Sequence, residues 1–388
     1  MGKRSGDGIV ERDIKPLHEA FFSAKRVGGL THNIYRYPAR FSPEFVRAAL
    51  DAFSDSGDLV LDPFMGGGTS AVETLVSGRR FLGFDLNPLS VLLTRAKTTP
   101  LYRRDRDALH AWIERSFSSL PMLRTDEPRL RNAPGPIVGA LAGPVHCVDA
   151  LETERQRDAA RAVLLGVGQW AIDGRSAPAA VGELQSAAAD HLERLFAGLD
   201  ALSAAGRNIG IRPSDLPRSR TLRSAPARSA AGHRGLNRLA GRVRLVVTSP
   251  PYPGVHVLYH RWQVLGRSET PMPYWIADLQ DGLGPKHYTM GGRSELGQES
   301  YFREMRDTWR TMRRLLRPDA VVIQLVAFSK PEVHVARYQS MMVDAGFESA
   351  PELEPSDSRE VPNRRWYHRI EPDRIQAKET LMAHRVSR

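Results

Sequence analysis

The sequence has a single cysteine and no long apolar run. Cys147 alone cannot form a disulfide framework or a cysteine-rich zinc site. No apolar run reaches membrane-spanning length, and the polar start Met1–Ser5 is not typical of a secretory signal. We therefore expect a cytoplasmic protein without a membrane partner. His256 and His260 have the spacing of metal ligands, but no third ligand accompanies them, so we expect no metal site.

One segment has almost no acidic residues. From Arg207 to Arg244 there are ten arginines and one acid, Asp215, in a chain of 388 residues with a net charge of +11. A solvated loop would also explain such a run. A run of one sign favours contact with phosphates, so we expect a nucleic acid as the partner of this segment.

A glycine-rich loop lies between a predicted strand and a predicted helix. Asp58–Leu61 is a short apolar strand, Asp62–Thr69 reads Asp-Pro-Phe-Met-Gly-Gly-Gly-Thr, and a helical pattern closed by Gly78 follows. The glycines let the backbone approach a ligand at the helix N-terminus. A tight turn between two core elements is the alternative interpretation.

The second predicted strand, Arg80–Asp85, ends in an acid 23 residues after Asp62. This is close to the spacing that places a carboxylate on a ribose hydroxyl. Asn87 and Pro88 then begin another helix. The pattern of strand, glycine loop, helix, strand and acid predicts a nucleoside-binding unit of Rossmann type.

The remaining chain divides into three parts around this unit. Residues 1–30 are predicted to be an N-terminal arm, and residues 31–100 and 206–388 the main α/β domain. Residues 101–205 read as several helices and are predicted to be an insertion, for target recognition or for packing. Asn208–Arg212 is predicted as the third strand with Asp215 after it, and Pro217–Gly241 as a mobile loop.

The central stretch is the strand Leu245–Val247, which runs through Thr248 into Ser249-Pro250-Pro251-Tyr252. Prolines donate no backbone N–H, so this loop offers acceptors beside the aromatic face of Tyr252. Such a pocket suits a planar ring that carries an exocyclic NH2 group. A structural Pro-Pro turn after a core strand is the alternative.

The two motifs together, Asp62–Thr69 with Asp85 and Thr248–Tyr252, resemble those of the DNA amino-methyltransferases. These enzymes use S-adenosylmethionine to methylate N4 of cytosine or N6 of adenine. Tyr37–Phe41, which reads Tyr-Pro-Ala-Arg-Phe, is similar to the family segment that closes over the methionine end of the cofactor. The resemblance covers roughly residues 31–100 and 208–330. It implies a Rossmann-like methyltransferase sheet that is mostly parallel, with its last strand antiparallel.

The resemblance also implies which residues act. The catalytic motif is Ser249, Pro250, Pro251 and Tyr252. Carried over by position, the residues that bind S-adenosylmethionine are Tyr37, Arg40, Asp62, Phe64, Gly66, Gly68, Thr69, Asp85, Asn87, Thr248 and, after the third strand, Asp215. The central glycine of Gly-Gly-Gly departs from the polar residue that the family often has there.

A serine at position 249 is commoner among cytosine-N4 enzymes, so the resemblance favours N4 of cytosine in DNA. The lone Cys147 has no proline directly before it and does not suit cytosine C5 methylation, which needs a cysteine nucleophile. Three alternatives remain: an adenine-N6 enzyme, an RNA base-amine methyltransferase, and an inactive DNA-binding subunit. The recognition region lies in 101–205 or after Tyr252, and a cognate restriction or defence-system partner remains open.

Overall fold

The computed structural model describes residues 13–23, 25, 27–37, 42–119, 126–232, 234–252, 261–266, 268–282, 284–292, 294–328, 331–355, 358–360 and 378–387. The helices, in chain order, are α1 (Lys15–Phe22), α2 (Pro43–Phe53), α3 (Thr69–Val76), α4 (Pro88–Lys97), α5 (Arg103–Ser116), α6 (Gly135–His146), α7 (Glu154–Ile172), α8 (Leu184–Asn208), α9 (Met272–Ala277), α10 (Glu295–Arg313) and α11 (Pro331–Asp344). The strands are β1 (Leu59–Asp62), β2 (Arg80–Asp85), β3 (Arg220–Ser224), β4 (Val243–Thr248), β5 (Trp262–Val264), β6 (Ser268–Thr270), β7 (Leu316–Phe328), β8 (Phe347–Ser349), β9 (Arg359–Glu360) and β10 (Lys378–Val386).

One sheet organises the molecule. Its strands lie in the order β3-β2-β1-β4-β7-β10-β8, with β9 also paired to β10. The pairs from β3 to β7 are parallel, whereas β10 runs antiparallel to β7 and β8. The predicted α/β sheet with an antiparallel last strand is confirmed.

The strand order places a crevice at one edge of this sheet. The chain leaves β1 toward β2 and β3 on one side, while β4 and β7 lie on the other, so the order reverses between β1 and β4. In open α/β sheets, ligands bind outside the carboxyl ends of the strands at such a switch point. The glycine loop follows β1 and the Ser-Pro-Pro-Tyr motif follows β4, so both lie at this point.

Helices cover both faces of the sheet. One face packs through Leu61 and Val322 against α10 and α11, and the other through Val60 and Ile323 against α1 and α2. Helix α1 lies within the segment predicted to be an arm, but its Leu17 is fully buried in this second layer. The helix is therefore part of the main domain rather than of a separate arm.

The segment 101–205 is helical, as predicted, and contains α5 to α8. Its apolar side chains share one core with α3 and α4; Leu164 and Leu195, for example, belong to the same cluster as Leu75 and Leu92. The insertion therefore packs as an outer layer on the helices that follow the glycine loop and the acid. Among the described residues, no helix is both long and apolar enough to cross a membrane.

The prediction of the third strand was wrong. Asn208 is the last residue of α8, and Gly210 has φ 79° in a turn in which the Ile211 N–H donates to the Gly206 carbonyl. This is a helix C-terminal motif, in which a glycine adopts the left-handed conformation. The third strand is β3, paired in parallel with β2, and it lies inside the segment predicted to be a mobile loop.

Candidate active site

The glycine loop follows β1 and is held tightly. Gly66 and Gly68 have φ values of 47° and 74°, a conformation that favours glycine. A Cβ atom on Gly67 would lie 2.8 Å from Cβ of Tyr37. Lys97 Nζ donates to the Gly67 carbonyl at 2.7 Å, and the Ser90 hydroxyl donates to the Gly66 carbonyl at 2.5 Å. The loop is therefore fixed from both sides before any ligand binds.

Asp62 connects this loop to the catalytic strand. Its buried carboxylate accepts hydrogen bonds from the Phe64 N–H at 3.0 Å, the Ser70 hydroxyl at 2.5 Å and the Thr248 hydroxyl at 2.7 Å. Burial raises the pKa of Asp62 to about 6, against the opposing effect of these donors. Asp62 and Thr248 were predicted as cofactor contacts. Both are fully buried and bonded to each other, and their contact with the cofactor stays a prediction.

Asp85 ends β2 beside the same loop. Its Oδ2 accepts from the Gly66 N–H and its Oδ1 from the Asn87 N–H, both at 2.8 Å. Burial raises the pKa of Asp85, and the two backbone donors oppose that shift. Each carboxylate oxygen can accept more than one hydrogen bond, so Asp85 keeps acceptor capacity toward a ligand.

Asn87 caps α4, as predicted, by accepting from the Leu89 N–H at 3.0 Å. The side chain is 3% exposed, and its Nδ2 has no hydrogen-bond partner within the part of the chain that the structure describes. A buried amide donor without a partner is costly. This donor beside Asp85 is therefore suited to an acceptor that a ligand would bring.

Two tyrosines that the sequence did not predict complete this side of the site. The hydroxyl of Tyr274, in α9, lies 3.3 Å from Oδ1 of Asn87, and its ring stacks on that of Tyr288 with centroids 6.2 Å apart. Burial raises the pKa of both phenols. No local pattern relates Tyr274 to Asn87, a residue 187 positions earlier.

The segment before Tyr37 crosses the glycine loop. The side chain of Gln169, in α7, bonds the N–H and the carbonyl of Arg36 at 3.0 and 2.9 Å. Glu73, in α3, accepts from His32 at 2.6 Å, and the pKa of Glu73 is lowered because the bonds to His32 and Arg47 outweigh burial. Tyr37 packs against Gly66 and Gly67 of the loop, and its contact with the cofactor stays a prediction. Arg40 lies outside the described residues. So do residues 253–260, which include His256 and His260.

The Ser-Pro-Pro-Tyr motif follows β4 directly. The Ser249 hydroxyl lies 3.1 Å from the Tyr252 hydroxyl, and the Tyr301 hydroxyl donates to the Pro251 carbonyl at 3.0 Å. Pro250 is buried and Ser249 is half-buried. Tyr301, in α10, is a further residue that the sequence did not predict. The remaining predicted contacts lie at the loop: Phe64 is half-buried, and Thr69 is the first residue of α3.

Asp215 does not belong to this site. It was predicted to follow the third strand, but it lies before β3, at the amino end of the sheet, in a short 3-10 turn. Its carboxylate pairs with Arg212 at 2.8 Å and with Arg218 at 3.5 Å. The residue that β3 brings to the carboxyl edge is Ser224, which lies beside Asp85 in the strand register.

Half of the ten arginines in the segment Arg207–Arg244 make side-chain contacts within the protein. Arg220 is half-buried and donates to Thr98 and Thr99, and burial beside Arg95 lowers its pKa to about 10. Four further arginines pair with acids: Arg212 and Arg218 with Asp215, Arg228 with Glu304, and Arg244 with Asp319. Some of the acids that pair with these arginines therefore come from other segments, and the composition of the segment alone does not reveal them.

The site residues fit a nucleoside-type cofactor. The fixed glycine loop, the acceptor capacity of Asp85 and the unpartnered Nδ2 of Asn87 meet at one end of the switch-point crevice. A ribose offers hydroxyl donors to a carboxylate and oxygen acceptors to an amide. The chemistry of this donor and acceptor set therefore agrees with S-adenosylmethionine.

Comparison with known proteins agrees with these observations. Residues 11–94 match the family model described as DNA methylase, of the N6 and N4 type. The type II methyltransferase M.MvaI of Kocuria varians is 40% identical over 75 residues, 19% of this chain and 16% of that protein. M.MjaII of Methanocaldococcus jannaschii is 35% identical over 66 residues, 17% of this chain and 12% of that protein. The matched part is less than a fifth of each of these relatives.

A solved structure of TrmN from Thermus thermophilus is 14% identical, with a TM-score of 0.32, over 89% of this chain and 49% of that one. A likeness this weak carries no argument about the site. The family match, the strand order and the two motifs are independent of it. They show that this part of the chain is similar to the S-adenosylmethionine-dependent DNA amino-methyltransferases.

Proposed function

We propose that this chain methylates an exocyclic amine of a base in DNA, with N4 of cytosine as its preferred target. The observation that carries the proposal is the hydrogen bond between Asp62 and Thr248 across β1 and β4. It fixes the glycine loop against the strand that ends in Ser249. A cofactor held by the loop and an amine held by the motif would therefore lie next to each other.

The motif is suited to the amine. We propose that Ser249 and the Pro250 carbonyl accept the hydrogens of the NH2 group while the ring of Tyr252 stacks on the base. The bound cofactor supplies an electrophilic methyl group on its sulfonium. The residues of the motif align the amine and stabilise the positive charge that develops on nitrogen. This reaction needs no covalent nucleophile on the protein.

The preference for cytosine rests on Ser249, because serine at this position resembles the cytosine-N4 enzymes. An enzyme cannot reach its target atom on a base that is stacked in a duplex, so the target base would be flipped out. Of the arginine segment, we propose Arg223 as a phosphate contact. It is exposed, and its place beside Phe84 in the register puts it at the same edge as the motif.

The test is to incubate the purified protein with methyl-labelled S-adenosylmethionine and either DNA or RNA, and to identify labelled nucleosides by mass. N4-methylcytosine is the expected product, and the Ser249→Ala variant controls for a contaminating enzyme. N6-methyladenine would retain the reaction and overturn the preferred base. Label in RNA alone would overturn DNA as the substrate. Cofactor binding without labelling would overturn the activity and leave an inactive binding subunit.

A further inference from the structure

A buried carboxylate lies behind the catalytic motif. Glu379, in β10, is 6% exposed and stands opposite Ala327 of β7 in the strand register. Its Oε1 lies 3.5 Å from the hydroxyl of Tyr252, which is itself 7% exposed. Ser249 is in turn 3.1 Å from that hydroxyl. A series of hydrogen-bond contacts therefore runs from the motif into the sheet, through Ser249, Tyr252 and Glu379.

The chemistry of these groups determines which of them donates in each hydrogen bond. A carboxylate can only accept hydrogen bonds, and a hydroxyl has one hydrogen to donate. If Tyr252 donates its hydrogen to Glu379, the contact between the two hydroxyls requires Ser249 to be the donor. The lone pairs of Ser249 Oγ then remain available on the side away from Tyr252.

The role of Ser249 as donor to Tyr252 matters because the motif must accept the hydrogens of an amine. We infer that Glu379 is a positioning residue which, through Tyr252, fixes the Ser249 hydroxyl as an acceptor toward the target amine. The inference rests on the proposed function. Without an acceptor at position 379, Tyr252 can donate to Ser249 instead, and the Ser249 hydrogen then points at the hydrogens of the amine. The 3.5 Å contact is long, as catalytic hydrogen bonds often are before substrate binds.

Single-turnover methyl transfer at saturating DNA and cofactor tests this role. Glu379→Leu removes the acceptor, and we expect the rate to fall about 10- to 100-fold, the effect of losing one hydrogen bond to a charged group. The Kd for S-adenosylmethionine stays unchanged. Glu379→Gln keeps an oxygen that can accept, so it recovers a large part of the rate.

A double-mutant cycle separates positioning from general support of the fold. Tyr252→Phe keeps the ring but removes the hydroxyl, and we expect a similar fall in rate. Because both residues act through the same hydroxyl, adding Glu379→Leu to Tyr252→Phe causes no further loss. If the two losses multiply, or if Glu379→Gln is no faster than Glu379→Leu, Glu379 does not orient Ser249.

Glu354→Leu is the matched control. Glu354 is a part-buried carboxylate that accepts from the Ala383 N–H of the same strand at 2.8 Å, at a distance from the motif. We expect it to lower thermal stability and leave the rate of transfer unchanged. If wild-type protein labels no nucleic acid, the proposed function fails and the inference fails with it. If wild-type protein is active and Glu379→Leu is equally fast, only the inference fails.

Discussion

The Thr248 hydroxyl donates to Oδ1 of Asp62 across 2.7 Å, although the two residues are 186 positions apart. Asp62 ends the strand that leads into the glycine loop, and Thr248 ends the strand that leads into Ser249. The carboxylate also accepts from Phe64 and Ser70, so one buried group fixes both halves of the site. The relative position of cofactor and target therefore depends on the core of the sheet rather than on mobile loops.

Thr248→Val tests this connection. Valine has the same shape, but it leaves a buried, ionised carboxylate with one donor fewer. We expect a loss of about 1.5–3 kcal/mol in the free energy of unfolding, measured by urea denaturation at pH 8. The control is Thr94→Val. Thr94 is equally buried, and its hydroxyl has no hydrogen-bond partner among the described residues, so that change costs little. Equal losses in the two variants would contradict the role of the Asp62 bond.

Asp85→Ala is expected to raise the Kd for S-adenosylmethionine about 10- to 100-fold, because the ribose hydroxyls lose an ionic acceptor. Isothermal titration calorimetry measures the change. Asp215→Ala is the matched control. It removes a carboxylate from the amino end of the sheet, and the Kd stays at the wild-type value. An equal effect of both variants would show that the loss is one of net charge.

Ser249→Ala is expected to lower single-turnover methyl transfer about 100-fold or more while the Kd for cofactor is retained, because the amine loses an aligned acceptor. Rapid-quench measurements with labelled cofactor give the rate. Ser219→Ala removes a hydroxyl at the opposite, amino end of the sheet, and we expect it to transfer at the wild-type rate. A Ser249→Ala enzyme as fast as wild type would remove Ser249 from the mechanism.

Arg223→Ala is expected to weaken DNA binding and to reduce the slope of log K against log salt by about 1, since one phosphate contact is lost. Fluorescence anisotropy over a range of salt gives the slope. Arg242→Ala removes the same charge from an exposed position just before the amino end of β4, roughly 20 Å from the motif end of that strand. We expect its slope to be that of the wild type. A fall in both slopes would favour a general electrostatic effect.

His384 makes stability depend on pH. Burial lowers its pKa to about 4, so the folded protein keeps this histidine neutral at a pH at which the unfolded chain protonates it. Its contribution to stability is therefore present above about pH 6.5 and is lost as the pH falls toward 4, by ~3 kcal/mol in all. Urea unfolding of wild type and His384→Leu at pH 7 and pH 4.5 measures this as a difference. Asp62 has the opposite effect, because its raised pKa favours the folded state at lower pH. Since Asp62 is present in both proteins, its effect cancels when the two unfolding free energies are subtracted.

Met382→Leu provides the control for that measurement, because it changes a buried side chain of the same strand without removing a titratable group. In Met382→Leu, the difference from wild type should be the same at both pH values. A pH-independent difference for His384→Leu as well would mean that folding does not lower the pKa of this histidine.

Short-range signals account for what the sequence predicted. The glycine loop, the Asn87 cap and the acid that ends β2 are each defined within a few residues, because turn and cap chemistry is local. The third strand was missed for the same reason. Ile209 and Ile211 have a strand-like pattern, but they belong to a helix end, whereas β3 is a polar edge strand whose register is set by β2.

Contacts between distant segments could not be predicted. Tyr274 and Glu379 reach the site across 187 and 127 positions, and neither lies in a motif. Asp215 was placed by counting strands along the chain, and an error in one strand moved it to the wrong end of the sheet. The net charge of the arginine segment counted only the acid within it. Glu304 of α10 and Asp319 of β7 pair with two of its arginines from outside.

The position of β10 has a consequence for synthesis. This strand comes after every other described strand in the chain, yet it lies between β7 and β8 and pairs with both. During synthesis, β8 has no neighbour among the described strands of the sheet until β10 has left the ribosome. Glu379 is likewise made 127 residues after Tyr252. The nascent chain can bury the β1–β4 half of the sheet early. The contact between Tyr252 and Glu379 forms only when β10 inserts, so we expect a chain stalled before β10 to lack the carboxylate behind the motif.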